Sequence, residues 1–326
     1  MFAGWQVIAE EVLRDRIGKP DYIEIITMVI ACRILVKKAV AAGAKALFLP
    51  EASDYIASSS AETVSLVRSV QDSEFVLGLQ KEARQAKLPI NVGIHEPAEG
   101  GTKVKNTLIW IDEQGEIVHR YQKIHLFDVE IKNGPVLKES ESVEKGTEIL
   151  PPFDTAIGRV GLSICFDLRF PEISLALKRQ NAQIITYPSA FTVPTGKAHW
   201  EALLRARAIE TQSYVIAAAQ AGPHNEKRTS YGHSMIVNPW GEVVAKLGGE
   251  YKEPEIATAE IDLDLVAKVR SEMPLLRRTD VYPEFCTLFQ TSTWCTSLYT
   301  KQSFAVEDIR IYTLRPRTRI LSVPIP

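Results

Sequence analysis

The segment GLSICFDLRFPE, residues 161–172, runs from an apolar strand into a cysteine, a tight polar turn and the start of a helix. A rigid sheet aims reactive groups from such strand ends into one crevice, where α/β proteins place their chemistry. The helix that follows also favours the thiolate form of Cys165. A lone cysteine after an apolar strand is more often a small buried hydrophobic residue, so a site here needs support from other parts of the chain.

Two other strand ends carry reactive groups. Glu51 follows the short apolar run 46–49 (ALFL) and a proline, and Lys123 lies in YQKIH, residues 121–125, where a strand ends. Taken singly, a glutamate after a strand is usually solvated and a lysine is usually a surface residue. Together with Cys165, and in this order along the chain, they indicate one site, since a base and a cation beside a cysteine suit nucleophilic catalysis.

The rest of the chain alternates strands with helices. Apolar residues at helical spacing predict helices, and short apolar or alternating runs bounded by turn residues predict strands, several of them paired as hairpins. This order is typical of an α/β fold with a mixed sheet, here in two similar halves packed as layers. Helices are predicted at 31–42, 61–87, 175–179, 199–212 and 263–271, and strands at 46–49, 89–95, 104–111, 116–121, 155–157, 159–164, 183–187, 214–219, 234–237, 242–246 and 256–261.

The composition is that of an ordinary globular protein. The chain has 326 residues, 45% hydrophobic and 24% charged, which excludes a wholly disordered chain, a collagen-like repeat and a coiled-coil rod. Its net charge of -2 gives no global attraction to nucleic acid or an anionic membrane, and the apolar run 22–36 is too short for a membrane span. Four cysteines without C-x-x-C spacing predict neither a zinc site nor a disulfide framework, and they favour a reducing compartment, the cytoplasm, with the mitochondrion left open.

The three strand ends resemble the signature of the nitrilase superfamily of carbon–nitrogen hydrolases, a Glu, a Lys and a Cys in that order. The matching stretches are LFLPEA with Glu51, YQKIHLFD with Lys123 and GLSICFDLRFPE with Cys165, and their spacing suits the family. The resemblance covers about 33–285 and implies a four-layer α-β-β-α sandwich. It also implies assembly into a homo-oligomer, a dimer or larger, through helices near Cys165.

The ends of the chain depart from this resemblance. The family opens with a core strand that residues 1–30 do not match, and the run 22–30 (YIEIITMVI) is the candidate replacement. After Phe285 the chain is rich in Ser and Thr, and its poor periodicity predicts a loosely ordered tail. We therefore expect an atypical N-terminal segment at 1–30, a carbon–nitrogen hydrolase domain at 31–285 and a tail at 286–326, and we attribute the unusual ends to an incorrect gene model.

The resemblance implies amide hydrolysis through a covalent thioester. Cys165 is expected to attack the amide carbonyl carbon, Glu51 to carry the protons, and Lys123 with the backbone N–H of Phe166 to stabilise the oxyanion. Glu139 matches a second carboxylate of the family and is expected beside Lys123. A base such as Glu51 works best if burial raises its pKa toward the operating pH. Each role has a protein group to fill it, so no metal or organic cofactor is needed.

Two further segments indicate the preferred amide. Residues 187–220 and 224–241 look closest to the eukaryotic nitrilase-like amidases that act on deaminated glutathione. The omega-amidases, which cleave alpha-ketoglutaramate, are near neighbours, and the loop 224–228 looks more like the former group. A true nitrilase, a carbamoylase and a non-catalytic binding protein of the same fold remain open as alternatives.

The same resemblance suggests the substrate contacts. Phe127, Phe191 and Thr192 are expected to line the pocket. Arg169 has two interpretations: it forms an ion pair with Asp167 that braces the turn, or it contacts a substrate carboxylate. The expected partner is thus a small-molecule amide, with no nucleic acid and no membrane.

A Cys–His pair is the competing arrangement for a reactive cysteine. His125 and His199 are candidates for such a pair by their positions in the chain. The local signatures of the cysteine proteases are absent, however, which favours the Glu, Lys and Cys set.

Overall fold

Two β-sheets lie at the centre of the computed structural model, which describes residues 20–130, 136–250 and 253–281. The predicted segment 1–30 is therefore described only from residue 20 onward, and the predicted tail 286–326 lies outside the described residues. The α-helices of the described chain are α1 (Pro20–Ala41), α2 (Ser60–Leu66), α3 (Glu74–Ala86), α4 (Pro171–Arg179), α5 (Val193–Thr211) and α6 (Leu263–Glu272).

The strands form two main sheets and two separate hairpins. In chain order they are β1 (Leu47–Phe48), β2 (Ile90–Pro97), β3 (Val104–Ile111), β4 (Ile117–Gln122), β5 (Asp128–Glu130), β6 (Val136–Lys138), β7 (Val143–Glu144), β8 (Phe153–Thr155), β9 (Gly158–Gly161), β10 (Ile184–Thr186), β11 (Tyr214–Ala217), β12 (Ala221–Asn225), β13 (Arg228–Tyr231), β14 (Met235–Val237) and β15 (Val243–Lys246). The first sheet has the order β1-β2-β3-β4 with β7 beside β3, and the second has the order β15-β14-β11-β10-β9-β8. Parallel pairs β1–β2, β9–β10 and β10–β11 stand among antiparallel ones, so both sheets are mixed, as expected. The hairpins β5–β6 and β12–β13 were not predicted.

Alternation along β3 explains how the first sheet packs. Leu108 and Trp110 lie in the core shared with the second sheet, where the Trp110 ring meets the ring of Phe153 edge-on with centroids 5.4 Å apart. Ile109 and Ile111 lie instead in the cluster formed with α1 and α3. Because successive residues of a strand face opposite sides, β3 contributes to both interfaces of its sheet.

The second sheet has a helical layer of its own. Leu177 of α4 and Leu204 of α5 belong to the same buried cluster as Ile184 of β10 and Val215 of β11. The order of layers is therefore helix, sheet, sheet, helix, and the predicted four-layer sandwich is confirmed. The space between the two sheets is apolar over most of its area, so burial there contributes about 25 cal/mol per Å² of apolar surface.

The single helix predicted at 61–87 is wrong, because the chain forms the two helices α2 and α3. Between them, the Ser69 hydroxyl donates to the Asp72 carboxylate at 2.7 Å. The Ser73 hydroxyl then caps α3 by accepting a hydrogen bond from the Val76 N–H at 3.3 Å. Short polar side chains that bond to nearby backbone compete with the helical ladder. Apolar residues keep their spacing across the break, which is why periodicity did not reveal it.

Three other expectations differ from the structure. The run 22–30 is helical, as the first part of α1, and does not replace a strand. Its isoleucines and valine favoured a strand by propensity, which tertiary packing commonly overrides. The helix α5 begins at Val193, well before residue 199, with a proline in its first turn, where proline is favoured. Residues 256–261 form no strand, since none of the described strands pairs with them.

A helix that crosses a membrane must be both long and apolar. Within the described residues, no helix has both the length and the apolar run that such a crossing needs.

Candidate active site

The three predicted strand ends meet in the folded chain. Glu51 follows β1 and Lys123 follows β4, both in the first sheet, whereas Cys165 follows β9 of the second sheet. The Lys123 Nζ lies 2.7 Å from Glu51 Oε1, and the Cys165 thiol is close enough to the same carboxylate for each group to change the pKa of the other. All three side chains are buried, with exposures of 4% for Glu51, 2% for Lys123 and 7% for Cys165. The site therefore joins one reacting group of the second sheet to two of the first.

A second carboxylate lies on the other side of the lysine. Glu139, in the 3₁₀ turn after β6, places its two oxygens 3.0 and 2.9 Å from Lys123 Nζ. The Phe127 N–H donates to Glu139 Oε2 at 2.6 Å, which holds the carboxylate in place. The expected position of Glu139 beside Lys123 is thus the one observed, and the ammonium lies between two carboxylates.

Two donors to these carboxylates were not found from sequence. Asn106 Nδ2 donates to Glu51 Oε1 at 2.8 Å and to Glu139 Oε1 at 3.1 Å. The Ala190 N–H donates to Glu51 Oε2 at 2.8 Å. A buried asparagine on the same face of β3 as apolar Leu108 is the one signal that could have revealed Asn106. A backbone donor from a loop 139 residues away leaves no such signal.

Burial and the two charges together fix the protonation of the site. Burial raises the pKa of Glu51, but the Lys123 charge and hydrogen bonds from Lys123, Cys165 and Asn106 outweigh burial and lower that pKa to about 2. Burial lowers the pKa of Lys123, yet Glu139 and Glu51 hold it well above its usual value. Burial and the charge of Glu51 raise the pKa of the Cys165 thiol. The resting site is a carboxylate, an ammonium and a thiol: the pKa of Glu51 is lowered, although burial alone would raise it, and the pKa of Cys165 is raised, against the effect of the helix that follows.

The backbone at Cys165 adopts a conformation that few non-glycine residues adopt. Its φ is +45°, in the left-handed region, which costs on the order of 1–3 kcal/mol for such a residue. Two hydrogen bonds hold it there: the Cys165 N–H donates to the Pro188 carbonyl at 3.0 Å, and the Ile164 N–H donates to Asp167 Oδ2 at 3.0 Å. Strain of this kind persists only where surrounding contacts enforce it, and it is concentrated at functional sites.

Glycine is required where β2 passes the Glu51 loop. A Cβ added to Gly93 would lie 2.6 Å from the Glu51 Cα and 2.9 Å from the Pro50 carbonyl oxygen. The Gly93 N–H donates to that same carbonyl at 3.0 Å, and the Ser53 N–H donates to the Gly93 carbonyl at 2.8 Å. The backbone of Glu51 is thus held against β2 at a distance that only glycine allows.

We therefore expect Gly93→Ala to destabilise the protein by about 1–3 kcal/mol, because neither backbone can yield without breaking these hydrogen bonds. Gly78→Ala is the matched control. Its added Cβ would meet only Val29 Cγ1 at 3.6 Å, and alanine in a helix is favoured over glycine by about 1 kcal/mol. Denaturant unfolding compares the two variants, and equal free energies of unfolding would contradict the argument.

The predicted substrate contacts lie near the turn that Cys165 opens. The guanidinium of Arg169 lies 5.9 Å from the centre of the Phe166 ring and 5.8 Å from that of Phe191. The Phe127 ring meets the Phe166 ring edge-on at 5.1 Å. Thr192 precedes α5, and its hydroxyl is 2.8 Å from that of Thr195. Phe127, Arg169 and Phe191 are therefore neighbours of the turn that Cys165 opens, and Thr192 directly follows Phe191 in the chain.

The ion pair proposed between Asp167 and Arg169 is wrong. Asp167 is completely buried and accepts hydrogen bonds from Tyr121, His125 and Ile164. Arg169 Nη2 instead approaches His199 Nδ1 at 3.1 Å. Side chains two residues apart in a 3₁₀ turn point in different directions, which sequence spacing alone did not resolve.

The same contacts argue against a Cys–His pair. His125 Nδ1 lies 2.8 Å from Asp167 Oδ1, His199 approaches Arg169, and Glu51, not a histidine, is the residue that acts on the pKa of Cys165 together with Lys123. Within the residues that the structure describes, no group of three or more His, Cys, Asp or Glu is placed to share a metal ion.

Known proteins are similar to this chain in both sequence and fold. A family profile described as carbon-nitrogen hydrolase matches residues 24–271. A Schizosaccharomyces pombe protein named probable hydrolase nit2 is 51% identical over 253 residues, which are 77% of this chain and 92% of that protein. The Homo sapiens protein named deaminated glutathione amidase is 45% identical over 257 residues, 77% of either chain. The crystal structure of the C. elegans NitFhit protein superposes with a TM-score of 0.75 at 42% identity, over 79% of this chain and 63% of that one.

Proposed function

The chain belongs to the carbon–nitrogen hydrolase family, and from this premise we propose that it hydrolyses a small carboxamide to a carboxylate and ammonia through a thioester on Cys165. The observation that carries the proposal is the buried contact of Glu51 with both Lys123 and Cys165. A protein with only a binding role has no need to bury two carboxylates, an ammonium and a thiol in mutual contact, which is costly unless each charge is paired.

In the first step the Cys165 sulfur attacks the amide carbon and forms a C–S bond, while the carbonyl π electrons move to the oxygen. Glu51, a carboxylate at rest that interacts with the thiol, accepts the thiol proton. Protonation of Glu51 removes one of the two negative charges beside Lys123, so the ammonium can then stabilise the oxyanion. This stabilisation appears only as the transition state forms, which is the condition for catalysis. The backbone N–H of Phe166 is the proposed second donor, and such a donor contributes about 10²–10³ in rate.

In the second step Glu51 returns its proton to the amide nitrogen, the C–N bond breaks, and ammonia leaves a thioester on Cys165. A water molecule then attacks the thioester carbon while Glu51 accepts the water proton. Collapse of this second intermediate breaks the C–S bond and releases the acid product, while Glu51 returns the proton to the Cys165 sulfur, which restores the thiol and the Glu51 carboxylate. Glu139 and Asn106 keep Lys123 and Glu51 in position through both steps.

We propose deaminated glutathione as the preferred substrate, with alpha-ketoglutaramate as the second candidate. Relatives at 44–45% identity carry the name deaminated glutathione amidase, which supports the first. Both compounds bear carboxylates, and Arg169 is a cation held beside the Phe166 and Phe191 rings, next to the nucleophile turn. Arginine suits this role because its planar group binds a carboxylate through two hydrogen bonds.

Ammonia release from the two compounds, measured in parallel, tests the substrate. We expect Arg169→Ala to raise KM about 10-fold to 100-fold for the carboxylate-bearing amides, since hydrogen bonds to charged groups contribute about 1.5–3 kcal/mol. The variant should process butyramide, which has no carboxylate, like the wild type. Arg205→Ala is the control, because Arg205 bonds to the Gly241 carbonyl. An equal loss on butyramide would show that Arg169 does not bind the substrate carboxylate.

We propose the cytoplasm as the compartment, with the mitochondrion as the alternative. Cys32 and Cys165 are unpaired thiols, and a thiol nucleophile needs a reducing compartment. Fractionation of cells followed by detection of the native chain distinguishes the two.

We also propose a homo-oligomer, a dimer or larger. Ile209 of α5 is 43% exposed and lies against Gly241, next to Trp240, which is 57% exposed. Apolar surface of this kind is typical of an interface. The helix α5 lies beside the turn that Cys165 opens, since Arg207 Nη2 donates to the Leu168 carbonyl at 2.7 Å, and the family resemblance implies assembly through helices near that turn. Light scattering after size exclusion should give at least a dimer, and Ile209→Lys should lower the mass.

A further inference from the structure

A buried carboxylate that the mechanism does not use connects the two sheets. Asp167 has no exposed surface and accepts four hydrogen bonds. On Oδ2 it accepts from the Tyr121 hydroxyl at 2.7 Å and from the Ile164 N–H at 3.0 Å. On Oδ1 it accepts from the His125 N–H at 3.1 Å and from His125 Nδ1 at 2.8 Å. Since an ionised carboxylate only accepts, the proton on the imidazole is assigned to Nδ1.

The donors come from the two segments that carry the reacting groups. Tyr121 and His125 each lie two residues from Lys123, one on each side of it, at the end of β4 in the first sheet. Ile164 directly precedes Cys165 after β9 in the second sheet, and Asp167 itself belongs to the turn that Cys165 opens. The Asp167 carboxylate therefore bonds the lysine segment to the cysteine segment across the interface of the two sheets.

We infer that Asp167 and His125 are a positioning pair, which sets the distance between the Lys123 ammonium and the Cys165 sulfur across the two sheets. The catalytic use of that distance rests on the proposed function. Neither side chain forms a hydrogen bond with Lys123 or Cys165, so the effect of the pair passes through the backbone. Reacting groups must be held within a fraction of an ångström, and a misplacement of about 1 Å costs about 100-fold in rate.

The reactivity of the Cys165 thiol reports this distance without any amide substrate. The charge of Lys123 counteracts the rise in the pKa of Cys165, so a more distant Lys123 makes the thiolate rarer. Alkylation by 2-iodoethanol, which contains no amide, forms an S–C bond, expels iodide and sends the thiol proton to Glu51 or solvent. Its rate at Cys165 therefore falls if Lys123 moves away.

The chain contains a matched control for His125. The His125 ring stacks on Phe170 with centroids 3.7 Å apart, and the His119 ring stacks on Phe153 at 3.6 Å. His119 also lies on β4, but its pKa is lowered by burial, and no carboxylate of the described residues acts on it. Replacement of either histidine by phenylalanine keeps an aromatic stack, and only the change at His125 removes a donor to Asp167.

The experiment compares His125→Phe, His125→Asn and His119→Phe in the full chain. We expect His125→Phe to slow both the alkylation of Cys165 and kcat by about 10-fold to 100-fold, with KM little changed. His125→Asn should recover most of both rates, because its amide N–H can occupy the position of Nδ1–H. His119→Phe should match the wild type. Peptide mapping assigns the alkylated cysteine, and a melting curve of each variant verifies that it is folded.

Two results would overturn the positioning pair. One is alkylation of Cys165 in His125→Phe as fast as in His119→Phe. The other is His125→Asn as slow as His125→Phe, since the donor to Asp167 would then be irrelevant. A wild-type protein that is alkylated rapidly at Cys165 but releases no ammonia from any carboxamide would refute the proposed function instead. The alkylation rates would still decide whether the pair exists.

Discussion

Replacement of Cys165 by alanine will abolish ammonia release and leave the chain folded. The thiol is the proposed nucleophile, and loss of a nucleophile of this kind costs about 10⁴-fold or more, because the remaining groups have no bond to form with the substrate. Alanine also keeps the Cβ of cysteine, so the strained backbone at φ +45° meets the same steric demand. The measurement is the rate of ammonia release at saturating substrate, together with a melting curve.

Cys32 provides the matched control for that substitution. It is the other unpaired and buried cysteine among the described residues, and it packs in the helical layer of the first sheet. We expect Cys32→Ala to retain the wild-type rate and to lose only packing energy, on the order of 1 kcal/mol. Activity that survives in Cys165→Ala would exclude the thioester. An equal loss in both variants would indicate a general defect of the fold.

Replacement of Lys123 by methionine will destabilise the protein by about 3–5 kcal/mol at neutral pH, the cost of leaving a buried charge without its partner. The lysine is 2% exposed and lies between Glu51 and Glu139, both within 3.0 Å of its ammonium. The variant therefore leaves two carboxylates facing each other in a site from which water is largely excluded. Amide hydrolysis should be lost as well, since the oxyanion loses its cation.

The loss of stability in Lys123→Met is expected to increase with pH. In the wild type the pKa of Glu51 is lowered to about 2, so its ionised form stabilises the fold above its ordinary value of 4.5 and that contribution disappears as the pH falls toward 2. Without Lys123, burial dominates and raises the pKa of Glu51. The variant then loses stability as the pH rises above 4.5. The difference between wild type and Lys123→Met should therefore grow from about pH 5 to about pH 8.

A double variant tests whether the unpaired carboxylates cause the destabilisation of Lys123→Met. Lys123→Met combined with Glu51→Gln removes one unpaired charge and should recover part of the lost free energy of unfolding, with a flatter pH profile. Denaturant unfolding at several pH values gives both quantities. A loss that is the same at acid and neutral pH would show that lost packing around the lysine, and not the unpaired carboxylates, causes the destabilisation.

The location of the site was predictable because rigid sheets place strand ends together. Glu51, Lys123 and Cys165 each follow a strand that the sequence marks by an apolar or alternating run, and family resemblance added Glu139. Asn106 was not predicted as a site residue because a single asparagine in an apolar strand forms no motif. The orientation of Arg169 was also beyond sequence, because its two alternative partners are separated only by the direction of the side chain within one turn.

Most of the strands and their buried faces were also predictable, because they follow from the spacing of apolar residues. Alternation with period two places Leu108 and Trp110 on one face of β3 and Ile109 on the other, and the order of the four layers was implied by the family resemblance. The break between α2 and α3 did not follow, because it depends on hydrogen bonds of Ser69 and Ser73 that compete with a helical pattern. Local bonding thus overrode a periodic signal.

The sequence by itself determined which chemical groups stand at the strand ends and their order along the chain, and its resemblance to a family implied the layers that bring them together. Tertiary structure alone decided their charge states. Glu51 and Lys123 are 72 residues apart in the chain and 2.7 Å apart in space. The pKa of a buried group depends on the balance between desolvation and the nearest opposite charge, and that balance exists only once the chain has folded. For this reason burial alone suggested a raised pKa for Glu51, whereas the folded site holds that pKa well below its usual value.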